Sequence, residues 1–263
     1  MSARTVRDLI ILVLIFGAIW GAFSLIKFPK IDVDLSIPLE TEEELGEMLM
    51  ESYLEQSVEV KDSVVLNALY KITDRLENSL DSSNFIYKFY VIENEQVNAF
   101  ATLGGNVVVF TGLLKLTDSP EEVAAVLAHE MGHVEERHVS KMLVKQLGIG
   151  VVMSVLTGGD PALILEILEM SASSAFSRNH ETEADDFGLK LLEKSNISPS
   201  SMATIFRKMK KHANMKYEKE LEFISSHPET DKRIRKSIKY KTQKNFKSEP
   251  FDIDWSEVKE AIR

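Results

Sequence analysis

The chain has 263 residues, an apolar fraction of 44% and a formal net charge of -10. That length carries one catalytic-sized domain with its own core, and the acidic balance argues against a nucleic-acid partner, which would require a basic face. Cysteine is absent, which excludes disulfides, thiolate zinc sites and cysteine nucleophiles.

Residues 1–8 form a short basic leader containing Arg4 and Arg7. Leu9 to Ile26 then runs without a charge. As a helix rising 1.5 Å per residue it would extend about 27 Å, close to the hydrocarbon thickness of a bilayer. No small-x-small cleavage site follows, so the run reads as an uncleaved transmembrane signal anchor with its N-terminus inside. The reading is therefore of a single-pass membrane protein, with a cytoplasmic tail over 1–8 and a catalytic domain outside the cytoplasm. Residues 27–40, with Pro29 and Pro38, read as an extended tether.

From Thr41 the spacing predicts helices. Leu45, Met48, Leu49 and Leu54 recur at helical intervals, followed by Val64, Leu69, Ile72 and Leu76. Phe85, Tyr87, Phe89 and Val91 alternate as in a half-buried strand. Asn98 to Ala101 and Asn106 to Thr111 read as a hairpin joined near Gly104-Gly105. Ser119-Pro120-Glu121-Glu122 marks the start of a helix predicted to continue to about Lys145. Leu147 to Met170 is strongly apolar, but Gly158-Gly159-Asp160-Pro161 divides it into two short helices rather than one membrane span. Further helices are predicted over about 177–193 and 199–213, and residues 241–263 read as a polar, peripheral tail. The fold class is α+β, mainly helical, with a small sheet.

The chemistry is concentrated in His129-Glu130-Met131-Gly132-His133. Residues four apart on a helix share a face, so His129 and His133 can offer two imidazoles to one zinc ion, with one ion expected per subunit. Glu130 lies beside the first histidine, where it can accept a proton from a metal-activated water. Ala124 to Ala128 lead into the motif, so the helix is buried and its polar groups need partners.

With no cysteine to serve, the third ligand must come from another segment. The metzincin continuation is excluded because Glu136 and Val139 occupy the positions of its glycine and histidine. His138 lies nine residues after His129, about half a turn around one continuous helix, and reads as structural or superficial. The segment Glu181-Thr182-Glu183-Ala184-Asp185 supplies carboxylates. Glu181 and Asp185 share a face, so one can bind zinc while the other orients a ligand histidine; Glu183 points elsewhere. His180 reads as space-filling beside them.

His129-Glu-Met-Gly-His133 with Arg137-His138, then Ser177-Arg178 with Glu181-x-Glu183-Ala184-Asp185, then Ser226-His227-Pro228 with Arg233-Ile234, occur in an order that resembles peptidase family M48, a family of gluzincin zinc metallopeptidases. The resemblance covers roughly residues 41–240. It implies a zincin-like catalytic domain in which Glu181 is the third zinc ligand and Asp185 stands behind the ligands. It also implies a catalytic His227, which stabilises the oxyanion or occupies the open zinc position in a latent state, with Arg233 accompanying it. Asn98, Ala99 and Phe100 are similar to the family's edge strand, on which a peptide substrate can lie by strand addition. Multi-span prenyl proteases of the family differ from this chain, which has one apolar N-terminal run. The implied activity is endopeptidase cleavage of misfolded or membrane-associated envelope proteins, in protein quality control. A non-cleaving adaptor using the same groove, and an exopeptidase, are the alternatives.

Overall fold

The computed structural model describes residues 36–158, 161–173, 175–215, 222–228 and 230–262, with residues 7, 15–17 and 21 of the leader. Apart from residues 15–17 and 21, the expected anchor over 9–26 lies outside the described residues, as does most of the tether. The chain divides at Leu35, and everything below concerns the unit Ser36–Arg263. Among the described residues no single helix is long and apolar enough to cross a membrane. The pair His138–Leu147 and Ile149–Thr157, bent by 101°, passes only as a broken span.

Helix α1 (Leu39–Glu55) buries Leu45, Leu49 and Met50. Helix α2 (Ser63–Glu77) is capped by Asp62, whose Oδ1 accepts a 2.8 Å hydrogen bond from the Val64 N–H. It buries Val65, Leu69, Ile72 and Leu76, so the apolar stripe enters at Val65 rather than at the expected Val64.

Three strands follow: β1 (Lys88–Ile92), β2 (Ala99–Ala101) and β3 (Asn106–Phe110). The sheet order is β1-β3-β2, with β1 parallel and β2 antiparallel to β3. The expected hairpin forms with Ala99 opposite Val109 and Ala101 opposite Val107. Gly104 and Gly105 turn the chain at φ 71° and 81°, a region that favours glycine. β3 is central, and its Val107, Val108 and Val109 are fully buried.

After the short α3 (Thr111–Leu116) comes α4 (Pro120–Glu135), which carries the histidine motif. Ser119 occupies the N-cap, but its side chain makes no capping bond; Glu122 reaches back to accept from the Asp118 N–H at 2.8 Å. Val123 to Ala128 are completely buried, which places α4 at the centre of the domain.

The expected continuation to Lys145 does not occur. Arg137 adopts the left-handed conformation (φ 53°, ψ 38°), and a new helix, α5 (His138–Leu147), begins. A non-glycine residue is strained there, and what offsets the strain is visible. The Arg137 guanidinium donates to the buried carboxylate of Glu42 from Nε at 2.8 Å and also to the Ile37 carbonyl.

The apolar stretch forms α6 (Ile149–Ser154), a 3₁₀ turn over Val155–Thr157 and α7 (Pro161–Ser173), two short helical pieces as predicted. Next are α8 (Arg178–Lys194), α9 (Ser200–Met215), α10 (Glu222–Ser226) and α11 (Thr230–Lys239). The segment expected as a polar tail is instead tied to the core. In α12 (Trp255–Ala261) Trp255 and Val258 are buried, and the Trp255 indole donates to the Thr117 carbonyl at 3.1 Å. A few apolar residues in a charged segment suffice to dock it, and average composition hides them.

Candidate metal centre

Helices α4 and α8 make the most extensive helix–helix contact among the described residues, and small residues permit a close approach. A Cβ added at Gly132 would lie 2.9 Å from the Ala184 Cα, so any side chain there would force the helices apart. This approach sets His129 and His133 of α4 against Glu181 and Asp185 of α8. His227, at the end of α10, reaches the same point from the other side. Its ring stacks on Phe223, with centroids 4.3 Å apart.

Donor atoms of His129, His133, Glu181 and His227 all lie within 4.8 Å of one another, and all four residues are buried. His129 Nε2 is 3.1 Å from His133 Nε2 and 3.2 Å from His227 Nδ1. Glu181 Oε1 is 3.0 Å from His227 Nδ1 and 3.4 Å from His133 Nε2. Four donors on a zinc ion at about 2.0 Å are separated by tetrahedron edges of about 3.3 Å. The four distances given above, 3.0–3.4 Å, bracket that edge. Three imidazole nitrogens and a carboxylate turned towards one point, away from water, form a donor set suited to zinc.

Burial pushes the His129 imidazole down to about 4, with the Arg233 charge assisting and Asp185 and Glu181 opposing. Burial likewise holds His133 well below the ordinary histidine range. Both imidazoles are thus neutral, the form that binds metal. Burial would raise Glu181, but His227 and Arg233 outweigh it and keep the carboxyl ionised. Asp185 is also held low: burial opposes, and Arg233 and His129 prevail.

Asp185 Oδ1 lies 3.1 Å from His129 Nδ1, behind the ring. Arg233, buried on α11, donates to Asp185 through Nε and Nη2, and its Nη1 is 2.8 Å from Glu181 Oε2. The guanidinium also sits over the Phe206 ring at 4.2 Å. One arginine thus ties both carboxylates together.

Glu130 lies on the rim of the cluster. Its Oε2 accepts a 2.9 Å hydrogen bond from the Ala101 N–H of β2, while Oε1 has no hydrogen-bond partner and lies 3.7 Å from His227 Nε2. Burial pushes its carboxyl up to about 7, against the opposing effects of His227 and the Ala101 N–H.

Asn98, Ala99 and Phe100 occupy the sheet edge and are all buried, beneath α4 and α7. Asn98 and Thr102 bond backbone to backbone with β3, so by ladder alternation the main-chain groups of Ala99 and Ala101 point to the outer edge. Ala101, not singled out from the sequence, is the residue that touches Glu130. Neither side-chain atom of the buried Asn98 amide has a hydrogen-bond partner.

His138 differs most from its expectation. Because the helix breaks at Arg137, His138 is completely buried, with its Nδ1 3.0 Å from His133 Nδ1 and its Nε2 3.0 Å from Glu183 Oε2. His180 stacks on it, with centroids 4.2 Å apart. The signal for this was Arg137-His138 itself, read as a continuation of helix rather than as a break.

The chain matches Peptidase family M48 over residues 66–240. Among curated relatives it is 28% identical over 212 residues to the beta-barrel assembly-enhancing protease of Yersinia pestis, covering 76% of this chain and 43% of that protein. It is 34% identical over 175 residues to the metalloprotease LoiP of Escherichia coli (strain K12), covering 64% and 67%. It is 31% identical over 173 residues to the mitochondrial metalloendopeptidase OMA1 of Schizosaccharomyces pombe, covering 65% and 51%. The matched part spans less than half the length of the beta-barrel assembly-enhancing proteases. Its family match and its buried histidine–glutamate cluster agree, and the chain belongs to peptidase family M48, the zinc metallopeptidases.

Proposed function

We propose that this chain is a zinc endopeptidase acting on misfolded or membrane-associated envelope proteins, with His129, His133 and Glu181 holding the metal and Glu130 as the catalytic base. The observation that carries the reading is the convergence of those three donor groups, with the unpartnered Glu130 Oε1 on their rim.

Zinc in such a site polarises the peptide carbonyl and acidifies water. Glu130 takes the proton of the attacking water on Oε1, while the Ala101 N–H keeps Oε2 in place. It then delivers that proton to the departing amine nitrogen, so the C–N bond breaks without expelling an amide anion. Asp185 holds His129 in the tautomer that leaves Nε2 free to bind metal. Arg233 keeps Asp185 and Glu181 ionised and aligned.

His227 has two positions in this scheme. With Nδ1 in the donor cluster, as observed, it fills the place of substrate and the enzyme is latent. Swung outward, it stabilises the oxyanion through a ring N–H. A peptide pairs with the outer edge of β2 through Ala99 and the Ala101 carbonyl, the Ala101 N–H being held by Glu130, and the Asn98 amide gains the partners it lacks. Placement at the envelope rests on the apolar run Leu9–Ile26 as a single anchor and on the beta-barrel assembly named for relatives.

The test is hydrolysis of an unfolded protein by the zinc-loaded chain and by Glu130→Gln. The variant is expected to retain zinc and lose about 10²–10⁴-fold in rate, the usual contribution of a general base. Equal rates would remove Glu130 from the mechanism. Internal cleavage sites in a long peptide are expected; release of terminal residues alone would make it an exopeptidase.

A further inference from the structure

We propose that His138 and Glu183 form a relay that orients the zinc-binding face of His133, and that the break at Arg137 exists to place it. The inference rests on the assignment of His133 as a metal ligand and adds the groups behind it.

Each protein-side contact follows from hydrogen-bond bookkeeping. As a metal ligand His133 must present a lone pair on Nε2, the nitrogen that faces His129 and Glu181 at 3.1 and 3.4 Å, so its proton sits on Nδ1. The atom facing that N–H, at 3.0 Å, is His138 Nδ1, which must accept. His138 then carries its proton on Nε2 and donates to Glu183 Oε2, also at 3.0 Å. Glu183 is 52% exposed on its side chain, so the buried chain of imidazoles ends on a solvated carboxylate. Only this set of tautomers satisfies both contacts with neutral rings. His129 is backed directly by Asp185, whereas His133 is backed through one intervening imidazole.

The placement is built. An unbroken helix would put His138 on the opposite side of α4. The left-handed Arg137 redirects the chain, and its guanidinium is anchored on the buried Glu42 and on the Ile37 carbonyl. Phe176 stacks on the His133 ring at 4.1 Å and His180 on the His138 ring at 4.2 Å, so neither imidazole rotates freely. His138 and Glu183 are positioning residues.

The experiment measures zinc affinity of the full chain by competition with a chromophoric chelator, with the Tm of the metal-free protein measured alongside. His138→Phe keeps a ring to stack on His180 but removes the acceptor. It is expected to weaken zinc binding about 10–100-fold, the range for groups that support a ligand histidine, and to lower the Tm of the zinc-loaded protein by more than that of the metal-free one. His138→Asn, whose Oδ1 can stand where Nδ1 stood, is expected to recover most of that loss. Glu183→Gln, on the surface, is expected to give a smaller loss in the same direction. Long-range ¹H–¹⁵N spectra are expected to show His133 protonated on Nδ1 and His138 on Nε2. Unchanged affinity in His138→Phe, a metal-free Tm that falls as far as the zinc-loaded one, or the opposite tautomers would overturn the relay. His133→Ala separates the two readings. If it loses zinc while His138→Phe keeps it, only the relay fails; if it binds like the wild type, the assignment of the site fails.

Discussion

The centre is assembled from two unlike halves. His129, His133, Glu181 and Asp185 stand on α4 and α8, two helices of 16 and 17 residues that meet through Gly132 and Ala184. His227 arrives directly after α10, a helix of five residues, held by Phe223 stacking and by the Phe176 N–H bond to the Ser226 carbonyl at 3.1 Å. The first half is part of the core and cannot shift without separating the two helices. The second follows a helix of five residues and, in the proposed scheme, is the donor that gives way to substrate. In that scheme three donors stay fixed and one detaches, so the site would be both stable and switchable, because only the fourth position must open for substrate.

Three measurements break or sharpen this contrast. The largest effect is expected from Glu181→Ala, which removes a fixed donor and leaves the buried Arg233 with only Asp185 as its close carboxylate partner. Zinc affinity should fall more than about 100-fold, beyond the loss typical of a supporting group, read by chelator competition. Next is Gly132→Val, in which a Cβ 2.9 Å from the Ala184 backbone must push α8 away. A destabilisation of at least about 1–3 kcal/mol is expected from overpacking, together with loss of zinc. A variant that melts normally and binds zinc normally would show that the helices are not locked. The smallest effect on metal is expected from His227→Ala. Affinity should drop by less than about 10-fold, below the range for groups that only support a ligand. A loss equal to that of Glu181→Ala would erase the distinction between the halves.

The outermost part of the domain gives a complementary check. Trp255 is buried although its segment is charged, so Trp255→Ala should cost about 3–5 kcal/mol in denaturant unfolding while leaving zinc affinity of the folded protein unchanged.

Much of the centre was legible in the sequence because helical spacing is a local rule. His129 and His133 share a face for the same reason that Glu181 and Asp185 do, and the structure places both pairs together. The hairpin and its glycine turn were legible through alternation and positive-φ chemistry. The same helical rule misled at His138. Projecting one helix through Arg137 sent His138 outward, whereas a distant ion pair with Glu42, 95 residues away in the chain, holds a turn that local propensity opposes. Ala101 was missed for a related reason: its role is a backbone N–H, and main-chain donors carry no mark in a sequence. Trp255 and Val258 were averaged into a charged tail, although burial is decided residue by residue.

By itself the sequence determined the histidine pair at helical spacing, the glutamate beside it and the mainly helical α+β class, since each follows from residue type and short-range periodicity. Only the tertiary structure decided that Gly132 brings the two ligand helices into contact, which nitrogen of His227 faces the cluster, and that His138 and Glu183 stand behind His133. Those depend on which distant surfaces pack, and packing is set by close approach and buried ion pairs rather than by any local pattern.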